Sequence, residues 1–434
     1  MSLTYKIEPG GVLKGRIRVP GDKSISHRAI MLGSIAEGVS RITGFLEGED
    51  AIATMNVFRA LGVRIEGPSQ GNVTVRGVGP RGLKAPRQAL DCGNAGTAMR
   101  LLAGLLAGQS FDCELTGDAS LRSRPMERVA EPLNGMGARI ETAEGGRPPL
   151  KIHGERKLTG ISYRLPVASA QVKSALLLAG LYAEGRTCVT EPAPTRDHTE
   201  RMLQAFGCAV EKKGGTVCVG GGTALRATDI EVPADVSSAA FFMVGALISP
   251  GSDLTLEHIG VNPTRAGVIE ILRLMGADLQ VLNERTAGGE PVADIRVRGT
   301  ELRGVKVPRE LVPLAIDEFP VLFIAAANAK GETVVTGAEE LRVKESDRIQ
   351  VMADGLRALG VRAEPTPDGM RIDGGPYRGG EVNSHGDHRV AMAFAMAALR
   401  AGGPITVFDC ANVATSFPGF VELARSAGLK ITAT

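Results

Sequence analysis

Apolar and polar positions along this chain follow a pattern that returns about every 70 residues, six times over. One part is a stretch ending in an apolar residue and a glycine, followed by strict alternation. It occurs at Leu61-Gly62 before Val63-Arg64-Ile65, at Met136-Gly137 before Ala138-Arg139-Ile140, and at Phe206-Gly207 before Cys208-Ala209-Val210. It returns at Met275-Gly276, Leu359-Gly360 and Ala427-Gly428. Such a glycine suits a left-handed helix C-cap, and the alternation after it predicts a half-buried strand. Most copies then pass through a Gly-rich turn into a second strand, as in Asn72–Gly77 and Thr216–Gly220. The other part is a short polar loop opening onto a helix that is apolar nearly all round. These loops lie near Ser24, Asn94, Ser169, Ser237, Asp317 and Asp387. Helices such as 175–181 and 241–247 have no polar face, so they are predicted to lie inside a domain. Units of this kind cannot close a core alone and must associate.

The last unit stops after Lys430-Ile431 without its closing strands, and the missing piece lies at the other end of the chain. Leu13–Pro20 matches Leu225–Pro233 and Leu302–Pro308, each ending in an alternating run and a proline. The pattern therefore predicts two α/β (α+β) domains of three units each. The N-terminal domain would span 21–234, and the C-terminal domain 235–434 closed by 1–20. Two adjacent linkers, near Pro20 and Pro233, would form a hinge beside a ligand cleft.

At 434 residues the chain exceeds what one core supports, and 23% charged with 43% apolar residues is the balance of a globular enzyme. A net charge of +2, no basic block, no tryptophan and 4% aromatics speak against nucleic-acid binding. No stretch is long and apolar enough to cross a membrane, and Met1–Gly10 lacks the layout of a signal peptide. The six cysteines (Cys92, Cys113, Cys188, Cys208, Cys218 and Cys410) show no C-x-x-C spacing. They are expected as buried thiols of a cytoplasmic protein, with neither a disulfide frame nor a zinc site.

The polar loops carry the chemistry. Lys23, Ser24 and Arg28 stand at the start of the first buried helix, where backbone N–H groups and the helix dipole favour an anion. Gly93–Thr97 with Arg100, Ser120–Arg124, Ser169–Gln171 and Thr195–Asp197 follow. Asp317-Glu318, Arg342–Arg348 and Gly386–Arg389 complete the set. Brought together, eight cations (Lys23, Arg28, Arg100, Arg124, Arg196, Lys344, Arg348, Arg389) would face the carboxylates Asp317 and Glu345. That suits two small polyanions, with Arg forks gripping phosphate and carboxylate. His385 and His388 lack a third ligand, so no metal is expected.

Taken together, Pro20–Ala29, Gly93–Arg100, Arg122–Pro125, Arg342–Ile349 and Asp387–Arg389 resemble the 5-enolpyruvylshikimate-3-phosphate synthase family along the whole chain. The resemblance implies an inverse α/β barrel architecture, three βαβαββ repeats per domain. It also implies transfer of the enolpyruvyl group of phosphoenolpyruvate to the 5-hydroxyl of shikimate 3-phosphate. No cofactor or metal is implied; the partners are those two small molecules, not nucleic acid or membrane, and a cytoplasmic monomer is expected. Carried over, Lys23, Ser24, Arg28, Ser169, Gln171, Arg196, Asp317 and Lys344 match contacts to shikimate 3-phosphate. Lys23, Gly96, Arg124, Gln171, Arg348 and Arg389 match the phosphoenolpyruvate pocket. Asp317 matches the carboxylate that accepts the hydroxyl proton, while Glu345, Lys23 and His388 match groups implicated in proton delivery.

The motifs around Arg196, Asp317 and Leu341–Arg348 resemble those of the subgroup containing glyphosate-tolerant enzymes. Yet Gly96 is retained where tolerant members often carry alanine, Leu101 replaces a proline of the other subgroup, and the lysine before a C-terminal Thr-Phe-Pro is absent at Ala414–Pro418. Two rivals are disfavoured. The related transferase acting on UDP-N-acetylglucosamine has a loop cysteine before Arg-Pro, where this chain has Ser123-Arg124-Pro125. A non-catalytic repeat-fold binder would have no need of Asp317, Glu345 and Lys23 together.

Overall fold

The structure, a computed structural model, describes residues 3–434. Its frame is six helices without a polar face: α1 (Lys23–Ile35), α2 (Gly96–Ala107), α3 (Ala170–Gly180), α4 (Val236–Ile248), α5 (Phe319–Ala327) and α6 (His388–Ala397). All thirteen residues of α4 and all nine of α5 are buried, as an all-round apolar helix must be. The six glycines that end the amphipathic stretches all adopt positive φ, from 86° at Gly207 and Gly276 to 120° at Gly428. The left-handed cap read from sequence is therefore present in every repeat.

Six sheets accompany the six helices. In five of them one strand runs parallel to a second, and two antiparallel strands follow; these form a hairpin in four sheets, while in the fifth they are Tyr5–Ile7 and Ile431–Ala433. Leu90–Asp91, Cys113–Thr116, Arg147–His153 and Arg139–Ala143 form one such order. In the sixth the parallel strand shrinks to isolated bridges, Arg303 to Lys330 and Lys306 to Val334, leaving three strands.

The described residues divide into two compact units, residues 3–20 with Pro233–Thr286 and Glu290–Thr434, and Gly21–Val232 with the hairpin tip Ala287–Gly289. Residues 1 and 2, part of the expected 1–20 segment, lie outside the described residues. In the first unit, strand Tyr5–Ile7 sits between Ile405–Phe408 and Ile431–Ala433, and Lys14–Ile17 runs parallel to Asp253–Gly260. In the second, Ile230–Glu231 runs parallel to Glu37–Thr43. Each unit has its own core, one built around Phe242, Phe323, Phe394, Phe417 and Phe420, the other around Phe58, Leu105, Leu176 and Phe206. In the second unit α2 meets α3 at Gly104. A Cβ there would lie 2.0 Å from the carbonyl oxygen of Ala175, so only glycine allows this approach.

The cysteine expectation is corrected. Cys92, Cys113, Cys208 and Cys410 are free and buried, but Cys188 and Cys218 form a disulfide. Strands Arg186–Thr190 and Thr216–Gly220 pair antiparallel with these two residues directly opposite, Cα atoms 4.1 Å apart. Thirty residues separate them in sequence, and only the strand register brings them together. Burial raises the Cys92 thiol pKa well beyond the ordinary range, so this residue beside the glycine loop is an inert small hydrophobe.

His27, on α1, is fully buried and bonds the Thr54 hydroxyl through Nδ1 at 2.7 Å. Burial, with Lys23 and Arg28 adding to it, pushes its pKa down to about 3. The folded state thus holds His27 neutral, while the unfolded chain takes up a proton below about pH 6.5. Its contribution is intact above that pH and is lost progressively as pH falls towards 3, by about 1.4 kcal/mol per pH unit. His27→Gln is expected to lose about 2 kcal/mol less stability than wild type between pH 7 and pH 5. Urea unfolding at the two pH values measures this; parallel losses in both proteins would refute a neutral His27.

Candidate functional site

In the second unit the site is assembled from the starts of α1, α2 and α3. Asp22 caps α1, accepting from the amide of Ile25 at 2.9 Å. Of the amides this helix start offers to an anion, that of Ile25 is thus already held by a carboxylate. Lys23 reaches sideways to Asp50, Nζ to Oδ2 3.0 Å, a partner outside the motif. Arg28 is buried and fully directed: Nε donates to the Thr199 hydroxyl at 2.7 Å, Nη2 to the Ser174 hydroxyl at 2.9 Å and Nη1 to the Ser24 carbonyl at 2.9 Å. None of these partners is charged, so its positive charge is held in place without being neutralised by them.

Ala95 precedes α2 without a side-chain cap, which leaves the first amides of that helix without the covering carboxylate found at α1. Arg100 Nη1 donates to Gln171 Oε1 and Gln171 Nε2 to Thr97 Oγ1, both at 2.9 Å. The carboxamide is thereby fixed in one orientation. Arg124 Nη2 is held by Asn94 Oδ1 at 2.5 Å and Ser120 Oγ at 3.1 Å. Gly96 lies against both guanidiniums: a Cβ there would sit 3.0 Å from Arg100 Nη1 and 3.2 Å from Arg124 Nη1. Ser169 caps α3 through Val172, and Arg196 is half-buried in the loop before helix His198–Ala205.

In the first unit the site centres on Arg348, which opens helix Arg348–Ala358 and is 1% exposed. Its Nε donates to Asp387 Oδ2 at 2.8 Å, its Nη2 to Glu345 Oε2 at 2.5 Å, and its Nη1 lies 3.5 Å from Asp317 Oδ1. Lys344 Nζ is 3.6 Å from the same Asp317 oxygen and 3.7 Å from Glu340. Burial opposes the charge on Arg348, but Asp387, Glu345 and Asp317 outweigh it and raise its pKa above the ordinary arginine value. Asp387 also caps α6, accepting from the Arg389 amide at 2.9 Å, and takes the Ser346 hydroxyl at 3.0 Å. One buried carboxylate thus sets the start of α6, which carries His388 and Arg389, and the direction of Arg348.

The large positive excess inferred from sequence is smaller in each unit, because Asp50 answers Lys23 and Asp387 answers Arg348. Arg389 is different. It is 9% exposed, and its guanidinium makes no hydrogen bond or ion pair among the described residues. Glu318, beside Asp317, does not join the site; it is buried against Ser237 and Arg265.

Sequence reasoning missed Asp50, Ser174, Thr199 and the cluster of Lys173, Glu191 and Glu200. One signal for the last was present: Lys173 lies just ahead of the apolar run 175–181 in the same helix, and a lysine inside a buried helix needs a buried partner.

Each three-repeat unit presents guanidiniums and hydroxyls at its helix starts, and one of them also holds the carboxylate of Asp317, the kind of chemistry found in enzymes for small phosphorylated and carboxylated anions. The profile of the EPSP synthase (3-phosphoshikimate 1-carboxyvinyltransferase) family matches residues 7–423, and the chain belongs to that family. It is 69% identical over 431 residues to the 3-phosphoshikimate 1-carboxyvinyltransferase of Alkalilimnicola ehrlichii, covering 99% of this chain and 97% of that one. Identity to the protein of that name from Methylococcus capsulatus is 68%, covering 99% and 98%. Among solved structures, EPSP synthase from Acinetobacter baumannii shares 60% identity and a TM-score of 0.90 over the whole of both chains. The enolpyruvyl transferase NikO from Streptomyces tendae shares the fold at a TM-score of 0.79 and 20% identity, covering 100% of this chain and 99% of that one.

Proposed function

We propose that these helix starts hold the two substrates of the reaction the chain catalyses. That reaction is transfer of the enolpyruvyl group of phosphoenolpyruvate to the 5-hydroxyl of shikimate 3-phosphate, with release of phosphate. Lys23, Ser24, Arg28, Ser169, Gln171, Arg196 and Lys344 take shikimate 3-phosphate. Arg124, Arg348 and Arg389, with Gly96, Lys23 and Gln171, take phosphoenolpyruvate. The observation that carries this assignment is Arg389, nearly buried with a guanidinium that has no partner among the described residues. Beside it in kind, Arg348 Nη1 has no hydrogen-bond acceptor, only the Asp317 carboxylate 3.5 Å away. An open fork such as that of Arg389 suits a carboxylate or phosphate, which it can grip with two parallel hydrogen bonds.

The chemistry follows from what the reaction requires. An alcohol is a weak nucleophile, so a carboxylate must take its proton as the new C–O bond forms. Asp317 has that role, kept in place by Lys344 and Arg348. Protonation of the methylene carbon, by a group among Lys23, Glu345 and His388, makes the neighbouring carbon electrophilic and gives a tetrahedral intermediate. The same proton economy run in reverse expels phosphate, whose charge the fixed cations stabilise. The deciding assay is phosphate release from phosphoenolpyruvate with shikimate 3-phosphate, run beside UDP-N-acetylglucosamine. Release only with shikimate 3-phosphate is expected; release with the nucleotide sugar instead would overturn the reading.

Gly96 gives a sharper test of the phosphoenolpyruvate pocket. In Gly96→Ala the new methyl would press on the Arg100 and Arg124 guanidiniums, flexible ends that give way by a few tenths of an ångström. Glyphosate, the longer mimic of phosphoenolpyruvate in this family, is expected to lose more than the substrate. The discrimination should be on the order of 1–3 kcal/mol, typical of one methylene. Inhibition constant and KM measured in both proteins decide; equal shifts would refute the steric account.

A further inference from the structure

Behind Arg28 and the Arg196 loop lies a buried charged cluster that touches no proposed ligand contact directly with a charge. Lys173, on α3, is 0% exposed, so none of its atoms reaches a ligand. Its Nζ lies 2.9 Å from Glu191 Oε2 and 2.7 Å from Glu200 Oε1, and both carboxylates are nearly as buried. Glu191 follows strand Arg186–Thr190 and accepts the hydroxyl of Thr195, the residue before Arg196. Glu200 lies in the first turn of helix His198–Ala205, next to Thr199. Thr199 in turn donates to the Ser174 hydroxyl at 2.7 Å and accepts from Arg28 Nε. Two adjacent rungs, Lys173–Glu200 and Ser174–Thr199, therefore tie α3 to this helix, and α1 joins them through Arg28.

We infer that Lys173 is a positioning residue for shikimate 3-phosphate: through Glu191 it sets the loop carrying Arg196, and through Glu200 it sets the hydroxyl that aims Arg28. The inference rests on the assignment of Arg28 and Arg196 to that substrate. Its physical basis is cost. A lone ammonium or carboxylate in a dry interior is strongly disfavoured, so the three side chains hold one geometry and hold their backbones with it. Lysine also balances charge. Without it, two carboxylates would be left uncompensated, one of them next in sequence to the Thr199 that bonds Arg28, and they would repel an incoming dianion.

The test is Lys173→Met in the full chain. Shikimate 3-phosphate affinity, read by titration calorimetry, is expected to fall at least tenfold, roughly the loss a displaced binding group brings. The KM for phosphoenolpyruvate at saturating shikimate 3-phosphate should change less than threefold. Lys173→Met/Glu200→Gln restores the cluster's net charge but not the tie, so it should stay weak for shikimate 3-phosphate. Should Lys173→Met not fold, Glu191→Gln keeps shape and is expected to show the same split, three- to tenfold. A lower fraction of active enzyme with both constants unchanged would overturn the inference, as would full recovery in the double variant. Absence of shikimate 3-phosphate binding in wild type would instead overturn the substrate assignment.

Discussion

Asp317→Asn should lower turnover on the order of 10²–10⁴-fold while shikimate 3-phosphate still binds. The amide has the size of the carboxylate and can still hydrogen-bond, but it cannot take the proton of the attacking hydroxyl. Lys344 and Arg348, 3.6 Å and 3.5 Å from Oδ1, would face a neutral group, so two cations would remain for the anionic ligand. The loss should therefore fall on kcat and leave affinity intact or improved, the signature of an interaction made in the transition state. Steady-state rates beside calorimetric titration give both quantities. Turnover within a fewfold of wild type would remove Asp317 as the base.

The second large effect is on stability. Arg348→Met removes the cation that answers Asp387, which is completely buried, and Glu345. Breaking a buried pair by deleting one partner costs about 3–5 kcal/mol, because the other charge is left without compensation. The same change also leaves the carboxylate that caps α6 through the Arg389 amide without its cation. Denaturant unfolding at pH 7 should show that loss for the unit containing Arg348. Adding Asp387→Asn, which keeps a capping oxygen and removes the charge, should recover at least half of it. No recovery would mean that Arg348 stabilises through packing of its stem rather than through charge.

What the sequence revealed was mainly local. A helix with no polar face and a glycine at a left-handed cap are properties of neighbouring residues, and all six copies of each could be read without knowing what packs on them. Register is not local: nothing in the spacing of Cys188 and Cys218 says that their strands align, and a thiol pair was misread as two thiols. The sixth sheet, whose parallel strand thins to isolated bridges around Arg303 and Lys306, likewise looked like the others. Within the candidate site, motif residues were visible as a list of charges, but not the acids that answer them. Asp50 resembles an ordinary first-turn acid, and Asp387 a simple cap. Only tertiary contact shows that the first holds Lys23 and the second Arg348, and therefore how much of the positive charge is already spoken for.

The central place of strand Tyr5–Ile7, between Ile405–Phe408 and Ile431–Ala433, sets an order on synthesis. Residues 21–232 make up nearly all of one unit, which takes only the hairpin tip Ala287–Gly289 from later in the chain. The other unit joins strands that lie far apart in sequence, and residues 4 and 434 exchange two backbone hydrogen bonds of 2.9 Å. Its sheet cannot be finished until Ile431–Ala433 has been made, and Tyr5–Ile7 has neither of its partners until Ile405–Phe408 has been made. A ribosome-bound chain thus carries an open sheet in one lobe long after most of the other lobe has been made, and the open sheet is where a chaperone or a stray strand would find it.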